Sequence, residues 1–504
     1  MRRDNKMRVF ASAALMLLVV GLLMPASVSA THGMNMEGYG PIALGMGGMS
    51  MAYDNGVAAV MNNPATLALM ADGSSRLDVA LGFLGPDVSA IVATPMGMIE
   101  ASSSATLFTM PALGWARKQG ALTFGVGVFG QGGMGTEFGP TSWLADPSQG
   151  GNSALTAGLV NRSEVSVGRF LVPVVYDVND KLSIGGTLDL VWAGMDLQMA
   201  MSEAQFLDLA NPQSQQAGRA SGSLAQAFGM IYEPFGGTGV KKLHHAYFDF
   251  SNDSDFTGAA MGLGFSGKIG LVYQVSPELS VGATYHAGTA LADLEADEAS
   301  MRMAINMDIG MAMGGLPSGE YMDMELPVSG EIVVEDFQWP ASLGAGVAYQ
   351  PNEKILVGVD VRWVNWSGVM ENFNMSFTAD QVPENGPFAG QQLDATLFQN
   401  WEDQTIIAGG GAYGVTEALE VRAGFSLSAN PVPDTYLNAL FPAIVTDHVN
   451  LGVGYRIGES SSVDIAMSKG FEGEYTNPGN GTTVPPVTST HGQLNAQLMY
   501  SYRF

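Results

Sequence analysis

The 504-residue chain contains no cysteine, and only 14% of its residues are charged, against ~25% in an ordinary soluble domain. Without cysteine, no disulfide framework can staple the fold. Cationic residues are scarce as well: 21 Lys and Arg stand against 48 Asp and Glu, for a net charge of −27. Phosphate binding needs clustered Lys and Arg, so nucleic acid is excluded as a partner; the acidity reads as solvated loops. Also missing, beyond the first 30 residues, is any run of ~18 mainly apolar residues, the minimum for a transmembrane helix. Yet 46% of the chain is apolar. Glycine, at 65 residues, is nearly twice as frequent as the usual ~7%. For such a chain the other permitted way to cross a membrane is a closed β-barrel.

The first 30 residues read as a secretory signal peptide. Arg2, Arg3, Lys6 and Arg8 precede the apolar "VFASAALMLLVVGLLM", and "VSA" at 28–30 is a small-residue cleavage site. A signal-anchor helix is the alternative, and the small residues before Thr31 argue against it.

Alternation with period two then recurs in segments of about ten residues, as a transmembrane barrel requires. In "KILVGVDVRW", Val357, Val359, Val361 and Trp363 oppose Asp360 and Arg362. In "ALEVRAGF", Leu419, Val421, Ala423 and Phe425 oppose Glu420 and Arg422, and "HVNLGVGYRI", "SVDIAM" and "KLSIGGTLDLVW" repeat the scheme. Arg or Lys facing lipid at mid-bilayer costs about 2–4 kcal/mol, so the charged faces should line the lumen. "EVSVGRFLVPVVYDV" breaks phase around Gly168 and Arg169, which predicts a bulge there. Strands are expected to begin near 76, 107, 120, 162, 181, 259, 279, 331, 355, 401, 418, 447, 461 and 491, a fourteen-stranded antiparallel barrel over 76–504. Tight polar turns at 178–181, 276–279, 350–354 and 415–418 alternate with long links near 201–258, 290–330 and 373–400. That places the short side in the periplasm and the long loops outside.

The last strand, "LNAQLMYSYRF", stays alternating up to Phe504. It is expected to close the barrel against the first strand, with Tyr500, Tyr502 and Phe504 in an aromatic girdle. A C-terminal aromatic also resembles the signal read by barrel-assembly machinery. The edge strand of a secreted sandwich is the alternative.

Residues 31–75 do not alternate. "GPIALGMGGMSMAYDNGVAAVMNNPATLALM" is too irregular for a strand and too apolar for a free tail; lumen groups could satisfy its backbone if it lay inside a barrel. This segment resembles the N-terminal hatch of the FadL/TodX/OmpP1 family, and Asn63-Pro64-Ala65 matches the family's NPA motif. "WPASLGAGVAYQPNEKILVGVDVRWVNWSGV" (339–369) and "WEDQTIIAGGGAYGVTEALEVRAGFSLSANPVPD" (401–434) are similar to its later strands, in the same order. The resemblance implies a monomeric fourteen-stranded barrel, plugged by its N-terminus, that takes up long-chain fatty acids or hydrocarbons in the outer membrane and needs no cofactor. It further implies capture at the outer loops, hatch movement, and sideways release to outer-membrane lipid beside a kinked third strand. Here that strand is "ALTFGVGVFGQGGMGTEF", with Gly130, Gly132, Gly133 and Gly135 in its outer half.

Other readings of the same residues are weaker. "GQGGMG" (130–135) fits G-x-G-x-x-G, but no helical period follows it. The six histidines form no metal-binding spacing, so no metal is expected, and no G-x-S-x-G marks a hydrolase. The Met-rich stretch 301–327 fits an outer capture groove or ordinary loop packing. Asp360, Arg362, Glu420, Arg422, Arg456 and Asp464 fit mutual pairing in the lumen, or, through Arg362 or Arg422, contact with a ligand carboxylate. A selective porin for polar solutes and a structural or adhesive barrel are the competing functions.

Overall fold

The computed structural model describes residues 32–95, 97–145, 159–211, 217–252, 258–481 and 483–504; the expected signal peptide lies outside them. The first wall strands are β1 (Ser75–Thr94), β2 (Gly97–Ser102), β3 (Phe108–Gln119), β4 (Leu122–Phe138), β5 (Asn161–Asn179) and β6 (Leu182–Ser202). Then follow β7 (Gly218–Ser221), β8 (Val240–Phe250), β9 (Ala260–Gln274), β10 (Leu279–His286), β11 (Ala290–Leu291), β12 (Leu294–Asp308) and β13 (Tyr321–Glu335). The remainder are β14 (Ser342–Asn352), β15 (Ile355–Val364), β16 (Asn372–Ala379), β17 (Gln392–Phe398), β18 (Gln404–Gly414), β19 (Leu419–Ser428), β20 (His448–Ile457), β21 (Ser461–Asn477) and β22 (Val487–Arg503).

The sheet closes on itself and is antiparallel throughout. From β22 the pairing runs through β1, β3, β4, β5, β6, β9, β10, β14, β15, β18, β19, β20 and β21, and so back to β22. Fourteen strands trace that ring, and among the described residues the sheet as a whole holds twenty-two. Besides β2, which pairs with β1, the other strands lie in or beside the long links. There β8, β12, β13, β16, β17 and β7 pair in succession as an extension of the C-terminal end of β6. β8 and β16 are largely packed, which hides their alternation. β13 does alternate, with Ser329, Glu331 and Glu335 exposed against buried Val328, Ile332 and Val334; the strand expected from 331 is two elements, since 331–335 ends β13 and β14 begins only at Ser342.

The faces follow the cost of charge in lipid. Outward lie Val357, Val359, Val361 and Trp363 of β15, and Leu451, Val453 and Tyr455 of β20, all exposed. Inward, Asp360, Arg422, His448, Asn450 and Asp464 are buried. At the C-terminus Leu494, Leu498, Tyr500, Tyr502 and Phe504 face out, while Asn495, Gln497 and Ser501 are buried. Closure is complete there: Ser75 N donates to Phe504 O at 2.7 Å and Phe504 N to Ser75 O at 3.0 Å.

The predicted bulge at Gly168 and Arg169 is corrected. β5 keeps an unbroken register with β6 through these residues, and the extra residue is Gln131 on β4, opposite Gly168. The phase break marks a change of surroundings instead. Below Gly168, Phe170, Val172 and Val174 are exposed outward. Above it, Val165 and Val167, on the inward parity of Arg169, are the buried apolar residues.

Candidate functional site

Residues 32–70 pack against the inward faces of the strands, and from Pro41 to Ala68 nearly every residue is buried. Inward-facing polar side chains satisfy this backbone. Asp360 accepts from Ser50 N at 2.5 Å and Met51 N at 3.0 Å. Ser280 Oγ donates to Ala52 O at 2.6 Å, and Gln497 Nε2 to Gly38 O at 3.1 Å. Glu37 is held by His448 Nε2 at 2.8 Å and Asn495 Nδ2 at 2.9 Å. A buried carboxylate persists only with such partners.

Asn63 starts a short 3-10 helix (Pro64–Leu69). Its side chain accepts from Ala65 N at 3.2 Å, while Pro64 fills the first turn, where a missing N–H costs nothing. The same amide donates to Met51 O at 2.7 Å and to Leu271 O of β9 at 3.0 Å. One side chain thus links helix start, segment and wall.

The two candidate cations differ in their surroundings. Arg422 is neutralised by Glu420 at 2.7 Å and Asp464 at 2.8 Å. Arg362 makes no ion pair among the described residues; its Nη2 donates to Gly48 O at 3.4 Å. Nearby, Arg169 and Lys268 share Asp189 at 2.8 and 2.5 Å. Arg456 is exposed near the rim of tight turns.

The four glycines sit where β4 loses its neighbour. β3 and β4 pair from Gln119↔Leu122 as far as Leu113↔Val128 and no further. Beyond that, Phe108–Ala112 pair only with β1, and 129–138 of β4 pair with β5. Two features end the ladder: Pro111 has no N–H to give, and Gln131 is bulged. The strands are tied again further out, where Ser104 N donates to Glu137 O at 2.7 Å and Glu137 N to Ser103 Oγ at 2.9 Å. The result is a framed seam in the wall. Its freed backbone is partly taken up from inside, Gly133 N donating to Met34 O at 3.1 Å; Asn35 bridges to Gly132.

Positive φ is not why these positions are glycine, since none of the four has it. Room is the reason. A Cβ at Gly132 would collide with Met34 O, and one at Gly133 with Val165 O. At Gly130 it would meet the Met110 methyl, and at Gly135 it would lie 2.7 Å from Phe108 Cζ.

Behind the seam is a cavity of ≈ 260 Å³, bounded by Met34, Met36, Phe108, Met110, Phe129, Met134, Val165 and Val167. Its polar lining includes Glu37, Glu164, His491, Gln493 and Asn495, but no Lys or Arg among the described residues. Arg362 borders a smaller pocket that shares Asn35 with this one. Phe108, Met110 and Val165 are residues that sequence reasoning missed; the available signal was Pro111, since Pro inside a wall strand marks an edge or bulge. In the Met-rich stretch, Met301 and Met303 are buried in the apolar cluster around Trp339, whereas Met313 is exposed.

Among solved structures, the chain is similar to the Pseudomonas putida toluene transporter TodX, with 28% identity over 93% of this chain and 99% of that one, at a TM-score of 0.74. The Ralstonia pickettii toluene transporter TbuX is 28% identical over 93% and 99%, at 0.70. A Pseudomonas aeruginosa FadL homologue, 14% identical over 94% and 99% at 0.63, shares the fold. An uncharacterized Chlorobium limicola protein, from the 5' region of a phosphoenolpyruvate carboxykinase gene, is 48% identical over 86 residues; the match spans 17% of this chain and 41% of that relative's length. Residues 25–499 match the family described as outer membrane protein transport protein (OMPP1/FadL/TodX). With nearly its whole length matched and a closed antiparallel barrel to match it, the chain belongs to that family of outer-membrane transport proteins.

Proposed function

We propose that the protein carries hydrophobic molecules, long-chain fatty acids or hydrocarbons, across the outer membrane and releases them sideways through the seam between β3 and β4. The observation that carries this reading is the apolar cavity lying against an unpaired stretch of wall, with the N-terminal segment across the lumen. The resemblance to transporters of toluene supports it.

Energetics favour a side exit. Burying one CH₂ is worth ~0.8 kcal/mol, so a chain of about fifteen would lose on the order of 10 kcal/mol if wetted again. Release into the bilayer avoids that loss. Unpaired strand backbone in lipid is penalised, and the Gly133–Met34 hydrogen bond relieves that penalty from inside. An apolar void of ~150 Å³ already holds benzene, so this cavity suits a substituted ring or a folded alkyl segment. The 32–74 segment acts as the hatch, with Asn63-Pro64-Ala65 anchoring it, and must shift for ligand to arrive from the outer loops. A carboxylate would find no cation in the cavity; Arg362, on the far side of Asn35, is the group to meet one.

Liposomes containing the protein test the reading with oleate, toluene and glucose. Uptake of the hydrophobic solutes should rise at least tenfold over empty liposomes, with glucose excluded. Glucose entry without hydrophobic uptake would make the protein a porin, and entry of neither a structural barrel.

A further inference from the structure

The seam is bridged by side chains alone. The Met110 side chain crosses from β3 until its methyl occupies the space a Cβ would take on Gly130. Its own Cβ is 3.7 Å from that position. Two residues earlier, the Phe108 ring reaches β4 at Gly135, its Cζ 2.7 Å from the missing Cβ. Both side chains line the main cavity, and Met110 also lines the small cavity beside it. Neither is fully buried. From Phe108 to Ala112 no ladder hydrogen bond ties β3 to β4.

We infer that Phe108 and Met110 are the shutter of the lateral exit, and that their bulk against Gly130 and Gly135 determines which molecules leave. The inference rests on the lateral-release reading. Opening the wall here requires no ladder hydrogen bond to break, only rotation of two apolar side chains. Met has three rotatable bonds and adapts to varied apolar shapes. A phenyl ring turns about two. Exposed side chains change rotamer in picoseconds to nanoseconds, so the shutter can follow the ligand without unfolding the wall. Gly130 and Gly135 are its seats: any side chain there would hold the shutter away from its closed position or jam it. The gate is apolar on the moving side, which suits a ligand with no charge to hydrate at that point.

Two sets of variants test this, all checked for insertion by heat-modifiable migration. The first is Met110→Cys with Gly130→Cys, in a chain that has no other cysteine. The 3.7 Å spacing of the two Cβ positions matches the ~3.8 Å mean of disulfides. Oxidised, this variant should lose uptake of toluene at least tenfold, and reductant should restore it. Parent-rate transport by the oxidised form would overturn lateral release at this seam. The second set is Phe108→Ala and Met110→Ala, assayed with toluene and with the rigid three-ring hydrocarbon fluorene. The ratio of fluorene to toluene uptake should rise at least threefold in each, and Met110→Trp should lower it. If the disulfide blocks transport while that ratio stays unchanged, the shutter assignment falls and the exit stands. Should the disulfide not form, the alanine variants decide the shutter by themselves.

Discussion

Asn63 shows how much one lumen side chain can organise, and where its loss should register. Its amide serves Met51 O, Leu271 O and Ala65 N, and each buried partner left unsatisfied costs ~1–3 kcal/mol. Asn63→Ala should therefore loosen the hatch without unfolding the barrel, raising single-channel conductance to small ions several-fold in planar bilayers; conductance equal to the parent's would contradict the anchor role. The two arginines call for a comparison. Arg422 is already paired with Glu420 and Asp464, so Arg422→Gln should mainly lower thermal stability. Arg362 has no ion-pair partner among the described residues, so Arg362→Gln should weaken oleate binding by about ten- to a hundredfold, the order of a charge-assisted hydrogen bond of ~1.5–3 kcal/mol, and leave toluene binding unchanged. The sequence placed both on the inward face, because charge and apolar residues alternate around them. It could not tell them apart, since each has a carboxylate two residues before it: Glu420 pairs with Arg422, joined by Asp464 of β21 across β20, whereas Asp360 accepts from Ser50 N and Met51 N.

At the scale of elements, β4 was legible as an unusual strand from its glycines, while the reason for them was not: backbone and side chains of Met34, Val165, Met110 and Phe108 occupy the space a Cβ would need. Such crowding is a tertiary property and leaves no local signature. Substitution should thus act through the neighbours: Gly133→Val, pressed against Val165 O, should distort the β4–β5 ladder and reduce the yield of inserted barrel. The phase break in β5 was likewise a real signal, reporting the height at which apolar residues turn inward and not an inserted residue. The hairpin of β12 and β13 carries its own anchor. Asp308 accepts from Gly319 N at 2.7 Å, Ser318 N at 2.9 Å and Met311 N at 3.2 Å. These donors, led by Ser318, hold its carboxyl down at about 2, below the ~3.9 of a free Asp. A depressed carboxylate stabilises fully above its unfolded value and loses that contribution as pH falls through its folded one. Protection from hydrogen exchange at residues 309–319, relative to the intrinsic rate at each pH, should accordingly be high at pH 5 and fall towards pH 2, and in Asp308→Asn it should be low at both.

For the whole molecule, alternation, the cost of charge in lipid and the aromatic end were enough to read a closed barrel and its inside face. The extension beyond β6 escaped for two reasons: β8 and β16 are largely packed and lose the period, and β13, which keeps it, follows a segment that reads as a long link. Tags inserted near 220 and 310 should be reachable on intact cells and a tag at 352 should not; labelling at 352 would reverse the orientation. The central claim is that hydrophobic ligand passes through the cavity and out between β3 and β4. Photolabelling tests it most directly: an aryl-diazirine hydrocarbon is taken up by outer-membrane vesicles, irradiated, and its adducts are mapped by mass spectrometry. Competed by excess toluene, adducts should concentrate on Met34, Phe108, Met110, Met134 and Val165. Adducts spread evenly over the lipid-facing residues, or gathered at the tight-turn rim near Asp54 and Arg76, with none in the cavity, would contradict the account.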